Sequence, residues 1–222
     1  MSIGNVMQKI LSEVNQAYPL KEKTTGEFSN IKAKGMKFQI KQYEAEGLGN
    51  VSVMEAKGFF GLMQMDTLII NPIKKDLPLF SYDRVLAMGN DTLIIELYDT
   101  FVEKQDLSDL KAWNDENQNL PNHDLGKHWY DSIKLAESVS KKGKKEHSKS
   151  FDDFTNIYFE KYLKNKAACT EVTDIAAKKE KASVYVEGLL SNGGPSTDVF
   201  KKEFGEAKTG KLFRKVLFGT EL

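Results

Sequence analysis

Leu62 to Asn71 reads LMQMDTLIIN and Thr92 to Tyr98 reads TLIIELY. Both runs are rich in aliphatic residues and apolar on both alternating faces, the pattern of central strands covered on each side. A sheet built around them needs two covering layers. Around these runs, residues from about Gly26 to Asp99 alternate, as in Lys37-Phe38-Gln39-Ile40-Lys41, with glycine or Asn-Asp turns between segments. That predicts a mostly antiparallel sheet with short connections. The covering helices are legible at either end. Val6, Ile10, Leu11 and Val14 recur at helical spacing before Pro19; Phe151, Phe154, Ile157, Tyr158 and Tyr162 form one stripe between Ser150 and Leu163; Phe200 to Phe218 gives another. The expected fold is α/β, a three-layer α/β/α sandwich with a central mostly antiparallel sheet, in a single domain over residues 1–222. Between the halves, Lys104 to Asp124 is polar with a short helix at Ala112-Trp113, and Lys141 to Lys149, KKGKKEHSK, reads as a glycine-broken basic loop.

Composition narrows the partners. With 222 residues, 40% of them hydrophobic, the chain can bury a sizeable core. Lys plus Arg and Asp plus Glu number 32 each, so no net field holds the whole protein on nucleic acid or an anionic membrane. No apolar run approaches the roughly 20 residues of a spanning helix. The single Cys169 and a start, MSIGNVMQKILSEV, without signal-peptide character predict a reducing, cytoplasmic setting, or a plastid stroma if a transit peptide has been removed. His123, His128 and His147 show no ligand spacing, so no metal site is expected.

Three acids carry the chemistry in this pattern. Glu55 follows Val51 and Val53 at two-residue spacing, Asp66 precedes Leu68 and Ile70, and Asp83 precedes Val85 and Ala87. Strand alternation directs each carboxylate toward an apolar layer, where it must be hydrogen-bonded, solvated in a cavity or protonated. Such positions suit acid catalysis. The alternative is that each acid ends a strand and reaches water.

The stretch Asp66 to Asp83, DTLIINPIKKDLPLFSYD, resembles without a gap the strand, Asp-Leu-Pro-(apolar)-Phe turn and active-site aspartate of the ferredoxin-dependent bilin reductases. Phe204 to Phe218, FGEAKTGKLFRKVLF, resembles the same family's closing Phe-Gly-Glu helix and terminal Leu-Phe. Leu125 to Ser132, LGKHWYDS, is similar to its Gly-x-x-Phe-Ser region. The resemblance implies that biliverdin or a related open tetrapyrrole lies between the sheet and the C-terminal helices. It also implies reduction by single electrons from ferredoxin and protons from acidic side chains, with no bound cofactor, flavin or metal. Asp83 falls on the family's catalytic aspartate, Asp66 on a position of histidine or asparagine, and Glu55, after a one-residue shift, near a pocket glutamate. Asp66 and Asp83 are then expected to face one another across the ligand. Phe80 and Trp129 are the expected aromatic contacts with substrate. Gly194-Pro195 stands where the family has Asp-Pro, which leaves Asp198 as the candidate replacement. Lys74, Lys75, Lys141, Lys142, Lys144 and Lys145 are the expected docking residues for acidic ferredoxin. A bilin-binding protein without activity and a red chlorophyll catabolite reductase-like enzyme are the alternatives.

Overall fold

The computed structural model describes residues 4–221. Eight strands form one sheet: β1 Leu20–Lys23, β2 Asn30–Ala33, β3 Met36–Ala45, β4 Gly49–Gly58, β5 Met63–Pro72, β6 Leu79–Ala87, β7 Asn90–Tyr98 and β8 Val139–Lys144. The order is β1-β3-β4-β5-β6-β7-β8, β2 pairs with the other end of β3, and every pairing is antiparallel. Hairpins suffice from β2 to β7 because an antiparallel ladder needs no crossover.

Alternation then divides the side chains between two layers. On one face Val51, Val53, Leu68, Ile70, Phe80, Tyr82 and Leu93 meet the apolar stripes of α1, Gly4–Ala17, and α3, Ser148–Lys164, with α2, Ser108–Glu116, at the margin. On the other, Met54, Ile69, Leu79 and Tyr98 meet α4, Ile175–Asn192, α5, Pro195–Lys211, and a π-helical turn over Leu212–Leu217. The three-layer sandwich is therefore the observed fold, with a fully antiparallel sheet. Among the described residues no helix is long and apolar enough to cross a membrane.

Two features hold the C-terminal layer in place. The carbonyls at the end of the C-terminal helix, which a helix end leaves unpaired, are taken up by polar side chains of the sheet. Gln42 donates to Lys215 O at 2.7 Å, Ser52 to Leu217 O at 2.7 Å and Asn71 to Phe218 O at 2.8 Å. At the other end of the layer, the buried Lys178 of α4 donates to Asp76 at 3.1 Å and to Leu77 O at 2.6 Å, while Asp76 also accepts from the N–H groups of Val102 and Glu103. Burial draws Lys178 down to about 8 even beside that carboxylate. The Asp-Leu-Pro turn is thus a junction of sheet, loop and helix.

The structure departs from the sequence expectations in three places. The run from Lys141 is no loop: Lys141 to Lys144 lie in β8, a short 3-10 turn covers Lys145–His147, and α3 begins at Ser148. Lys141 is buried, donating to Asn122 at 2.6 Å and to Leu120 O at 3.3 Å. The Phe200 to Phe218 stripe is not one helix, because Gly205, at φ 79°, kinks α5 and the chain rewinds as the π-helical turn. The whole of α4 lies where no helix was anticipated.

Candidate active site

Between the sheet and the C-terminal layer lies a cavity of about 210 Å³ that opens to solvent. The strands contribute Met54, Met65, Thr67, Asp83 and Glu96, and the opposite wall Tyr185, Leu189, Gly194, Thr197 and Phe213. Tyr98 bridges the two. Its ring stacks on Tyr185 at 4.0 Å between centroids, and Tyr130 closes edge-on at 5.7 Å. His128 stacks on Tyr130 at 4.9 Å and lines the same space. A mostly apolar cavity walled by aromatic rings, with a few convergent polar groups, suits a planar conjugated ligand.

Asp83 is its central polar group. Register places Met54 opposite Thr67, Thr67 opposite Asp83 and Asp83 opposite Ile94, so these side chains form one row across four strands. Thr67 Oγ1 donates to Asp83 Oδ1 at 2.5 Å. Part of the Asp83 side chain faces the cavity, yet it lies deep beneath the surface, and the loss of bulk water raises its carboxyl to about 6. The Thr67 bond opposes that rise, and the charge of Glu96 adds to it. Glu96 sits diagonally across the β6–β7 ladder, opposite Ser81, accepts from Tyr98 OH at 2.6 Å and lies 3.7 Å from Lys134 Nζ. It also borders a surface pocket with His123, Asp124 and Lys134, so it stands between cavity and solvent. A carboxyl raised to about 6 holds or releases a proton near neutrality, the condition for acid work.

The other expected residues lie elsewhere. Asp66 pairs with Glu55 on one side and Arg84 on the other, and all three point to the α1–α3 face. Asp66 and Asp83 therefore stand on opposite faces of the sheet, and the expected carboxylate pair across a ligand does not form. Thr67 occupies the place that Asp66 was expected to take, and Met54 that of Glu55. Asp66 is fully buried, neither oxygen has a hydrogen-bond partner of good geometry, and burial first, then the Glu55 charge, raises it to about 6 against the weaker opposing pull of nearby Gln64, Lys57 and Arg84. Phe80 is also on the α1–α3 face, packed on Phe159 and Tyr162 at 5.4 and 4.9 Å. Trp129 lies behind the cavity wall rather than in it. Its Nε1 donates to Gly193 O at 3.0 Å and its ring covers Gly188, where a Cβ would lie 2.2 Å from it. Asp198 is exposed on α5, beside the cavity-lining Ser196 and Thr197. Sequence reasoning missed Glu96, Thr67, Tyr98, Tyr185 and the cavity position of His128. Only Glu96 left a signal, as the sole charge in TLIIELY.

No protein-family model matches the chain, and no curated protein does. Among solved structures, the fold matches that of phytochromobilin synthase from tomato in complex with biliverdin, with a TM-score of 0.80 and 17% sequence identity over 99% of this chain and 83% of that one. At that identity the likeness establishes the shared fold.

Proposed function

We propose that this chain reduces biliverdin or a related linear tetrapyrrole, held in the cavity between the sheet and the C-terminal helices, with Asp83 as the proton donor and reduced ferredoxin as the external donor of single electrons. The observation that carries this reading is a carboxyl raised to about 6 on the wall of an aromatic slot, in the fold of a protein solved with biliverdin. The two sequence motifs that resemble the bilin reductases support it independently.

The chemistry follows from the site's own groups. Each electron accepted by a bilin makes a more basic radical, and each needs one proton, so two electrons and two protons reduce one double bond. Asp83 delivers a proton and is recharged from solvent by way of the cavity. Thr67 fixes the carboxyl by its hydrogen bond, and Tyr98, Tyr130 and Tyr185 pack against the conjugated ring system. Which double bond is reduced follows from which bilin carbon rests against Asp83.

The test is direct. Biliverdin mixed with the protein should give a changed absorption spectrum, and anaerobic addition of reduced ferredoxin should convert it to a reduced product. Asp83→Asn should keep the binding spectrum and lose about a hundredfold or more in turnover, with accumulation of a bilin radical. Wild-type product at a wild-type rate from that variant would remove Asp83 from the mechanism.

A further inference from the structure

Register brings several turns to one rim of the sheet. The β2–β3 turn at Lys34-Gly35, the β4–β5 connection from Phe59 to Leu62, the β6–β7 turn at Met88-Gly89 and the end of β8 at Lys144 all lie at the same strand ends. Two of these are two-residue hairpins with positive φ at both positions, the arrangement that matches strand twist. The third is unusual. Phe59 and Phe60 have φ 50° and 54°, followed by Gly61 at 86°, and bulky residues adopt that left-handed region only at a cost. The consequence is that their rings face outward. Phe59, Phe60, Leu62 and Met88 are 54, 109, 68 and 89% exposed, and Met88 N–H donates to Leu62 O at 3.4 Å, which ties the two neighbouring turns that carry them together. Lys34, Lys57, Lys144 and Lys145 are exposed along the same rim, as are Glu146 and Glu203.

We propose that this rim is the docking surface of the electron donor, an acidic one-electron carrier protein that seats on Phe59, Phe60, Leu62 and Met88 and is steered there by Lys34, Lys57, Lys144 and Lys145. The proposal rests on the reductase reading of the cavity and adds where its electrons enter. Met65 and Val85 of the cavity wall pair with one another, two residues inside the Met63–Ala87 pair that ends both strands, which is about 7 Å of strand. A carrier on the rim is thereby brought close to a bilin in the cavity; a lipid surface would gain nothing from that nearness. Small apolar centres ringed by charge are also the form of transient electron-transfer contacts. Each encounter oxidises the carrier by one electron and reduces the bilin by one, so two encounters serve one double bond. The lysines anticipated from sequence divide differently: Lys141 is buried, Lys75 is paired with Glu171, and Lys74 lies beyond the opposite end of β5.

The experiment titrates an acidic [2Fe–2S] ferredoxin into the full chain at low salt by calorimetry, for wild type, Phe59→Ser/Phe60→Ser and Lys57→Gln/Lys145→Gln. The exposed positions make these variants compatible with folding, which circular dichroism and an unchanged biliverdin-binding spectrum would verify. The Phe pair should weaken the complex about tenfold or more, and the Lys pair should lower its salt sensitivity. Unchanged affinity in the Phe variant, or no complex with wild type, overturns the proposal. So does co-sedimentation with anionic vesicles that depends on Phe59 and Phe60 while ferredoxin affinity does not. Normal ferredoxin binding with no bilin reduction would uphold the docking surface and remove the reductase reading.

Discussion

At the residue scale, the acidity of Asp83 is set by three opposed influences that can be tested one at a time. Burial raises it, the hydroxyl of Thr67 lowers it by donating to the charged form, and the charge of Glu96 raises it again. Thr67→Val should therefore move the Asp83 titration upward, and Glu96→Gln should move it downward, both read in the ligand-free protein from the carboxyl infrared band. Shifts of the same sign in the two variants would refute this account of the site. The same row of residues shows what the sequence could and could not tell. Alternation correctly assigned Asp66 to the face of Leu68 and Ile70 and Asp83 to that of Val85. Nothing in the alternation could say that these are different faces, because LMQMDTLIIN is apolar on both and gives no signal for which side carries the cavity. A one-residue slip in reading exchanges the faces of every side chain in a strand, and Thr67 and Met54 took the places expected for Asp66 and Glu55 on that account.

At the scale of elements, the sheet was legible because its strands combine β-branched residues with turn signals, whereas α4 was not. Its interior carries a lysine, Lys178, at a buried position, so its apolar stripe is interrupted and only the structure reveals the Asp76 carboxylate that completes it. The C-terminal layer is also where binding must act. A cavity of about 210 Å³ is below the roughly 300–1,000 Å³ of sites that enclose ligands of drug size or larger, so the proposed bilin would project through the open mouth or displace the covering helices. Gly193, φ 86°, joins α4 to α5 and Gly205, φ 79°, kinks α5, and both sit in a backbone region that glycine adopts without strain. Lys215, Leu217 and Phe218 are pinned by Gln42, Ser52 and Asn71, whereas α5 is tied to the rest of the fold by exposed ion pairs of Lys208 and Lys211 with Glu27, which makes α5 the more easily shifted part. Hydrogen exchange should find α5 amides less protected than those of α3 in the free protein, and slowed about tenfold or more with biliverdin bound. Equal protection of α5 in both states would mean that the slot accepts its ligand without helix movement.

At the scale of the whole molecule, the buried acid that does not serve the cavity should appear in the stability of the fold. Asp66 lies buried between Glu55 and Arg84, and its carboxyl is raised from 3.8 to about 6. A group raised in this way keeps its proton in the folded protein at pH values where the unfolded chain has lost it. Between about pH 4 and 6 the folded state therefore binds more protons, and stability falls as pH rises through that window. Above it the full cost of ionising Asp66 in the core is present, on the order of 3 kcal/mol. Arg84 does not depend on this carboxylate, because its guanidinium is held by Asp91 in two hydrogen bonds and lies 3.3 Å from Asp152. Asp66→Asn, which resembles the protonated acid, should therefore match wild type near pH 4 and exceed it by about 2–3 kcal/mol at pH 7 in urea denaturation. The variant should also bind biliverdin and turn it over as wild type does, since the side chain lies across the sheet from Asp83. Stability curves that stay parallel from pH 4 to 7 would show that Asp66 titrates normally in the fold. A changed bilin product from the variant would show instead that its influence reaches through the sheet into the cavity.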